Sequence, residues 1–317
     1  MEMKNDKIKV LLTGANGFIG SYVIDNLVKD ESYEIGITLR KSSDIWRIKE
    51  NIQKIESFFV DQIDIDEIIS NFKPDIVIHL AVYYKKRHIY GNIDEMLKTN
   101  VIFPTKLLDS MIKNNVHFFI NTGTFTEYAV DKNDLTTQSQ ISPANLYSAT
   151  KVSFEDILKF YGSNYNLNAV TLKLFAPYGY KDNRKKLIPY LINCALSGKV
   201  AETSPGDQRW DFIYVKDVAD AYMKSINYLM NSRQNYSTFN IGSGENHSIK
   251  EIAEIISNLG KKLQVNWGAI PYSNPETFYV KADITSSRNI LKWWPKYSIR
   301  DGISETYEWY KEHTSDE

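Results

Sequence analysis

Apolar residues in the first half of the chain follow two alternating rhythms. Short, nearly continuous runs rich in Val, Ile and Phe cover residues 8–13, 34–39, 56–60, 75–80 and 117–122, the pattern of strands buried on both faces. Between them, residues 19–28, 65–72 and 96–112 carry apolar positions at helical spacing. Strand and helix in alternation predict a parallel sheet with crossover helices, an α/β protein. A helix over 148–160 and a sixth strand over 169–175 extend the series. After Pro177 the rhythm breaks into shorter pieces: helices over 187–196, 218–229, 249–259 and 302–311, and strands over 212–215 and 237–241. The boundary is placed between 175 and 176, with a larger first domain, a smaller α/β lobe over 176–317, and segments such as 218–229 expected to pack back on the first domain.

Composition narrows the class. A chain of 317 residues, 43% hydrophobic, has ample material for a core. Thirty-eight Lys and Arg against 39 Asp and Glu leave a net charge of -1, so no global field draws it to nucleic acid or to an anionic membrane. The lone Cys194 excludes an intrachain disulfide and suits a reducing compartment. The first residues carry no signal-peptide pattern, and a cytoplasmic location is expected. Five histidines without ligand spacing give no reason to invoke a metal.

The first chemical signal follows the first strand, where Thr13-Gly14-Ala15-Asn16-Gly17-Phe18-Ile19-Gly20 leads into a helix. Glycines at this spacing let the backbone approach a pyrophosphate, and the helix start offers unpaired N–H groups to it. The first domain is therefore read as a doubly wound Rossmann sheet holding a dinucleotide. At the end of the second strand an NAD site would usually place Asp or Glu. The chain instead reads Arg40-Lys41-Ser42-Ser43, and a guanidinium suits a ribose 2′-phosphate, so NADP(H) is the expected cofactor. Asp61, after the third strand, is placed to accept from the adenine amino group.

The second signal is Tyr147-Ser148-Ala149-Thr150-Lys151, a phenol and an ammonium one helical turn apart. A phenol of reference pKa about 10 is a poor base at neutral pH, and a neighbouring ammonium lowers that value. Thr124, after the fifth strand, supplies a hydroxyl to hold a carbonyl oxygen. With 21 tyrosines the Tyr-Lys spacing alone says little. Its convergence with the glycine cradle and Thr124 on one sheet edge gives it weight.

Those motifs, with Leu80 and Ala81, Asn100 and the segment GDQRWDFIYVKDVADAY, resemble the extended short-chain dehydrogenases that act on nucleotide sugars, over nearly the whole chain. The resemblance implies a dinucleotide held by Gly14, Asn16, Gly17, Phe18, Ile19, Gly20, Arg40, Lys41, Asp61, Leu80, Ala81, Asn100, Tyr147 and Lys151. It implies Tyr147 as acid/base, Lys151 as its partner and Thr124 as the carbonyl-orienting hydroxyl. It also implies a homodimer. Sugar 4,6-dehydratases carry an Asp-Glu pair after that hydroxyl, where this chain has Phe125-Thr126, so elimination is disfavoured. Segments NTGTF, LIPYLI and WGAIPYSNPETFYVKADI are similar to CDP-abequose and CDP-paratose synthases of O-antigen assembly, with dTDP-4-dehydro-6-deoxyglucose reductases close in chemistry. This points to NADPH-dependent reduction of the C4 ketone of a nucleotide-linked 4-keto-6-deoxyhexose. An NAD-dependent 4-epimerase and a catalytically silent dinucleotide sensor are the alternatives.

Two departures from the family concern substrate contacts. The usual Arg before Asp-Phe is Trp210, leaving Arg209 one residue early, and Ala176 replaces the usual Asn of the sixth-strand turn. Tyr83, Tyr178 and Arg209 are the substrate-binding candidates. His79 is read as a core histidine, Lys85-Lys86-Arg87-His88 as a solvated loop, and Trp293 and Trp294 as core of the smaller lobe.

Overall fold

A computed structural model describes residues 7–313 apart from 86, 131, 132, 233, 261, 274 and 275. The chain forms two compact units: residues 1–129, 140–173 and 219–239 make the first, and 130–139, 174–218 and 240–317 the second. Neither is a consecutive stretch, whereas the sequence suggested a single boundary. Residues 219–239 belong with the first unit and 130–139 with the second.

The alternating runs become strands β1 (Ile8–Thr13), β2 (Tyr33–Leu39), β3 (Glu56–Phe59), β4 (Ile76–His79), β5 (Phe118–Thr124) and β6 (Asn168–Leu174). Together with the strand Tyr236–Ile241 they make a seven-stranded sheet, ordered Tyr236–Ile241, β6, β5, β4, β1, β2, β3. The β1/β2, β1/β4, β2/β3 and β4/β5 pairs are parallel. The order reverses at β1, so the crevice at its C-terminal end is where such sheets take ligands. Val10, Leu11 and Leu12 of β1 and Ile76, Val77 and Ile78 of β4 are fully buried, which explains why these strands read as continuous apolar runs.

Helices α1 (Phe18–Val28), α2 (Ile65–Phe72), α3 (Ile93–Leu97), α4 (Phe103–Lys113) and α5 (Leu146–Tyr165) complete the first unit's main framework. One apolar cluster gathers Ile68, Ile69 and Phe72 of α2, Leu107, Leu108 and Met111 of α4, and Phe154 and Leu158 of α5 against Val77 and Phe119. The segment read as one helix over 96–112 is longer and interrupted, because α3 and α4 are joined by a π-turn over Lys98–Ile102. Pro104 causes it. Proline has no N–H for the carbonyl of Asn100 four residues back, so the ladder widens there.

In the second unit the helices are Leu187–Ser197, Ile249–Ser257 and Ile299–Glu312, with small two-stranded ladders between them. The helix Val215–Asn231, which crosses from one unit's residues to the other's, begins directly after the two-residue strand Ile213–Tyr214. Asp211 organises this unit: its carboxylate accepts from the N–H groups of Ser243, Gly244 and Ala282 at 2.6–3.0 Å. Trp293 is buried, as expected, but Trp294 is 53% exposed. Adjacent aromatic residues outside a regular element need not face the same way.

Candidate active site

The glycine cradle sits at the end of β1. Gly14 has φ +74°, and a Cβ there would lie 2.5 Å from the backbone nitrogen of Ala81 and 2.6 Å from the carbonyl carbon of Leu80. Glycine thus allows both the left-handed turn and the close approach of the β4 end. Thr13 locks the same junction: its carbonyl accepts from Leu80 N–H at 3.0 Å, and its hydroxyl lies 3.3 Å from Ala81 N and 2.8 Å from His79 Nδ1. Burial holds His79 well below its ordinary pKa, so this neutral ring is a satisfied core histidine, as the sequence suggested. Gly17 N-caps α1 with no side-chain cap, and no acidic residue occupies the first turn, Phe18, Ile19 and Gly20. The N-terminal end of that helix therefore fits a phosphate.

At the end of β2, Arg40 N–H donates to Ser43 Oγ at 2.9 Å, and the Arg40 guanidinium pairs with Glu95 of α3 at 3.3 Å. Sequence reading found no carboxylate in this loop; folding brings one from 55 residues away. Asp61 accepts the Lys41 N–H through both oxygens, at 3.1 and 3.0 Å. It fixes the loop's path across the end of β3. Asn16 donates to the carbonyl of Asp44 at 3.0 Å and secures the other side.

Asn100 projects from the π-turn. Its Oδ1 accepts from Tyr83 N–H at 2.8 Å, while Nδ2 donates to the Tyr83 carbonyl at 3.1 Å and to Thr150 Oγ1 at 3.0 Å. It ties the loop after β4 to α5. The Tyr83 hydroxyl accepts from Asn92 at 3.2 Å, and the neighbouring Tyr84 ring stands edge-on to Tyr147 at 4.9 Å between centroids.

Helix α5 begins at Leu146, with Asn145 as N-cap accepting from Ser148 N–H at 2.9 Å. Tyr147 and Lys151 therefore lie one turn apart inside the helix. Strand β5 runs two residues further than expected, so Thr124 is its last residue and caps the 3-10 turn Phe125–Glu127. A hydroxyl chain links Thr124 to Thr126 at 3.1 Å and Thr126 to Ser148 at 2.7 Å. Phe125 is buried, and neither it nor Thr126 offers a carboxylate.

One carboxylate lies a residue further on, and the sequence reading missed it. Glu127 is fully buried: Oε1 accepts from Thr124 N–H at 2.7 Å, and Oε2 pairs with Lys173 of β6 at 2.7 Å. Lys173 also meets Glu155 of α5 at 2.8 Å, and Glu155 reaches Lys159 at 3.0 Å on the helix surface. The signal was a lysine inside the apolar run Ala-Val-Thr-Leu-Lys-Leu-Phe, since a charge on a buried strand requires a partner.

These surroundings set the protonation states. Burial, aided by Glu127, Tyr84 and Tyr222, raises the Tyr147 phenol well above its ordinary value. Burial lowers Lys151 to about 8 against the upward pull of Glu127 and Glu155. Without a bound dinucleotide, Tyr147 is a neutral phenol, the form that gives a proton. The lowering of the phenol's pKa expected from Lys151 is one that a bound, oxidised nicotinamide assists; in the free protein desolvation is the larger influence.

Two of the three substrate candidates are engaged elsewhere. Tyr178 is 3% exposed, packs against Tyr214 and donates to the carbonyl of Ile299 at 3.3 Å, so it is core of the second unit. Arg209 binds Glu251 through both terminal nitrogens, at 2.5 and 3.0 Å, and Asn246 through Nε and Nη2. Four of its five donors are thus occupied, which corrects its expected grip on a diphosphate. Trp210 donates from Nε1 to the Thr277 carbonyl at 2.8 Å. In the basic run after β4, Lys85, Arg87 and His88 are exposed, as expected of a solvated loop, and Lys86 lies outside the described residues.

Comparison with known proteins decides the lineage. The profile of the NAD dependent epimerase/dehydratase family matches residues 10–242. The chain belongs to that family. Among relatives of this epimerase/dehydratase chain, CDP-abequose synthase of Salmonella typhimurium is 29% identical over 93% of this chain and 96% of its own length. UDP-glucuronate 4-epimerase of Thermodesulfobacterium geofontis is also 29% identical, over 96% of each. A solved structure of UDP-glucose-4-epimerase from Stenotrophomonas maltophila, with bound NAD and formylated UDP-arabinopyranose, superposes with a TM-score of 0.88 at 20% identity, covering 98% of this chain and all of that one. The family assignment makes the chain an enzyme of the NAD dependent epimerase/dehydratase type that acts on nucleotide sugars. Among the described residues no helix is long and apolar enough to cross a membrane, and no cluster of potential metal ligands occurs.

Proposed function

We propose that the enzyme reduces the C4 ketone of a nucleotide-activated 4-keto-6-deoxyhexose, dTDP- or CDP-linked, with NADPH, in O-antigen or surface polysaccharide synthesis. NADPH supplies the hydride when bound. Its pyrophosphate is assigned to the N-terminus of α1 beyond Gly14 and Gly17, and the nicotinamide ribose to Tyr147 and Lys151. Thr124 Oγ1 holds the ketone oxygen, and Tyr147 donates its phenolic proton to that oxygen as the alkoxide forms. Lys151, adjacent in charge, stabilises the phenolate left behind. Buried Glu127, bound to Lys173 and Thr124 N–H, is not available as the acid or base of an elimination.

The observation that carries reduction over epimerisation is Arg40. Its side chain is 57% exposed and its pairing with Glu95 is a surface contact, worth about 0–1 kcal/mol. A ribose 2′-phosphate dianion displaces such a partner. Likeness to CDP-abequose synthase over the full length supports the same reading. NADPH oxidation with dTDP- and CDP-4-keto-6-deoxyglucose, followed by product NMR, tests it. Tyr147→Phe is expected to abolish turnover while retaining NADPH binding; near-normal turnover would remove the mechanism, and equal rates with NADH would remove the role of Arg40.

Glu95 favours the second reading. A carboxylate at this end of the site suits the free ribose hydroxyls of NAD, as needed by an NAD-dependent 4-epimerase. That enzyme would copurify with NAD and isomerise its substrate without added reductant.

A further inference from the structure

Three buried ionic groups, Lys173 of β6, Glu155 of α5 and Glu127 of the turn after β5, form a cluster that the proposed reaction does not itself use. Glu127 is its centre. One oxygen is fixed by the backbone of Thr124 and the other by Lys173, at 2.7 Å each, so the carboxylate has no freedom to turn. Glu155 shares the same lysine and is neutralised on its outer side by Lys159. Lys151, one turn before Glu155 on α5, is 4% exposed, and among the described residues its amine has no ion pair or hydrogen bond. The charged and titratable groups acting on it are Glu127 from the turn, Glu155 from its own helix, Lys173 from β6 and His79 from β4, the last held neutral by burial.

We propose that Glu127 is a positioning residue for the Tyr147–Lys151 pair: its carboxylate anchors the backbone of Thr124 and keeps the buried Lys151 amine charged. The inference rests on the reading of Tyr147, Lys151 and Thr124 as the reactive group. An isolated ammonium in a site this dry gives up its proton unless a nearby anion opposes desolvation. Lys173 alone would make matters worse, since its like charge favours the neutral amine. Glu127 reverses that effect, and its own burial raises it to about 6, still ionised at neutral pH. The same carboxylate thereby couples two requirements of ketone reduction, a fixed hydroxyl at Thr124 and a cation beside the phenol. Glu155 contributes in the same sense, but its anchoring is divided between Lys173 and the exposed Lys159.

The test uses Glu127→Gln, which removes the charge and keeps one acceptor oxygen, enough for Thr124 N–H but not for Lys173 as well. Competitive acetylation of the full chain with acetic anhydride, read peptide by peptide by mass spectrometry, gives the pH midpoint of Lys151 without any cofactor. The midpoint is expected to fall by about one pH unit in the variant, and the alkaline limb of the kcat/KM profile with NADPH to fall with it. Glu127→Asp keeps the charge and should hold the midpoint near that of the unaltered protein. An unmoved midpoint in Glu127→Gln, or an equal fall in both variants, overturns the proposal whatever the activity does. A midpoint that moves while the alkaline limb stays fixed overturns instead the assignment of Lys151 to the reaction. A purely structural Glu127 would lower the rate without shifting either pH value.

Discussion

Lys173 shows how one side chain sets both stability and chemistry. It lies 2% exposed between Glu127 and Glu155, and replacing it by methionine leaves Glu127 without its cation in a dry interior, while Glu155 keeps only Lys159. Removing one partner of such a group typically costs about 3–5 kcal/mol, because the remaining charge has neither water nor counterion. Lys173→Met is therefore expected to lower the denaturant midpoint sharply. The loss should lessen on moving from pH 8 to pH 5, since Glu127, with its folded pKa raised above the unfolded value, can then take up a proton in the folded state. Urea unfolding at the two pH values measures both effects, and a loss that does not vary with pH would mean that Glu127 finds another partner.

At the scale of elements, the interrupted helix α3/α4 matters most. The π-turn at Lys98–Ile102 turns Asn100 toward Tyr83 and Thr150, so one amide joins the loop after β4 to the start of α5. Asn100→Ala would leave the Tyr83 N–H and carbonyl without this partner, at about 1–3 kcal/mol for each buried group left unsatisfied. Hydrogen exchange at the Tyr83 amide should accelerate markedly, and NADPH affinity should fall with it; unchanged protection would show that the loop is held by other means. The same region marks how far the sequence can be read. The strands and the first three helical patterns were legible because their side chains report burial through period. Gly14, Thr124, Tyr147 and Lys151 could be placed on their elements because each follows a strand or opens a helix whose pattern the sequence shows. The π-turn was not legible, since its cause is a missing N–H at Pro104 and not an apolar pattern. Glu127, Glu155 and Glu95 were invisible for another reason: each acquires its meaning from a cation distant in sequence, Lys173 or Arg40. Arg209 and Tyr178 misled because a residue type apt for substrate binding is equally apt for an ion pair or an aromatic core.

For the molecule as a whole, cofactor binding should register as global stabilisation. At a concentration of NADPH one hundred times its Kd, mass action adds about 2.7 kcal/mol to the folded state, and NADH at the same concentration should add less if Arg40 reads the 2′-phosphate. Thermal melts with each cofactor test this, and equal shifts would argue for the epimerase reading. The interleaved division of the chain has a further consequence, for the order in which it leaves the ribosome. Residues 219–239 complete the unit that carries the glycine cradle and Tyr147, and among them begins the strand that covers the edge of β6. Until about three quarters of the polypeptide has emerged, β6 ends the sheet as a bare row of unpaired backbone groups, a template for pairing with other chains. A nascent chain stalled before that point, or a gene cut at the sequence boundary after residue 175, would expose this edge. The dinucleotide unit is thus finished late in synthesis, although most of its residues are made first.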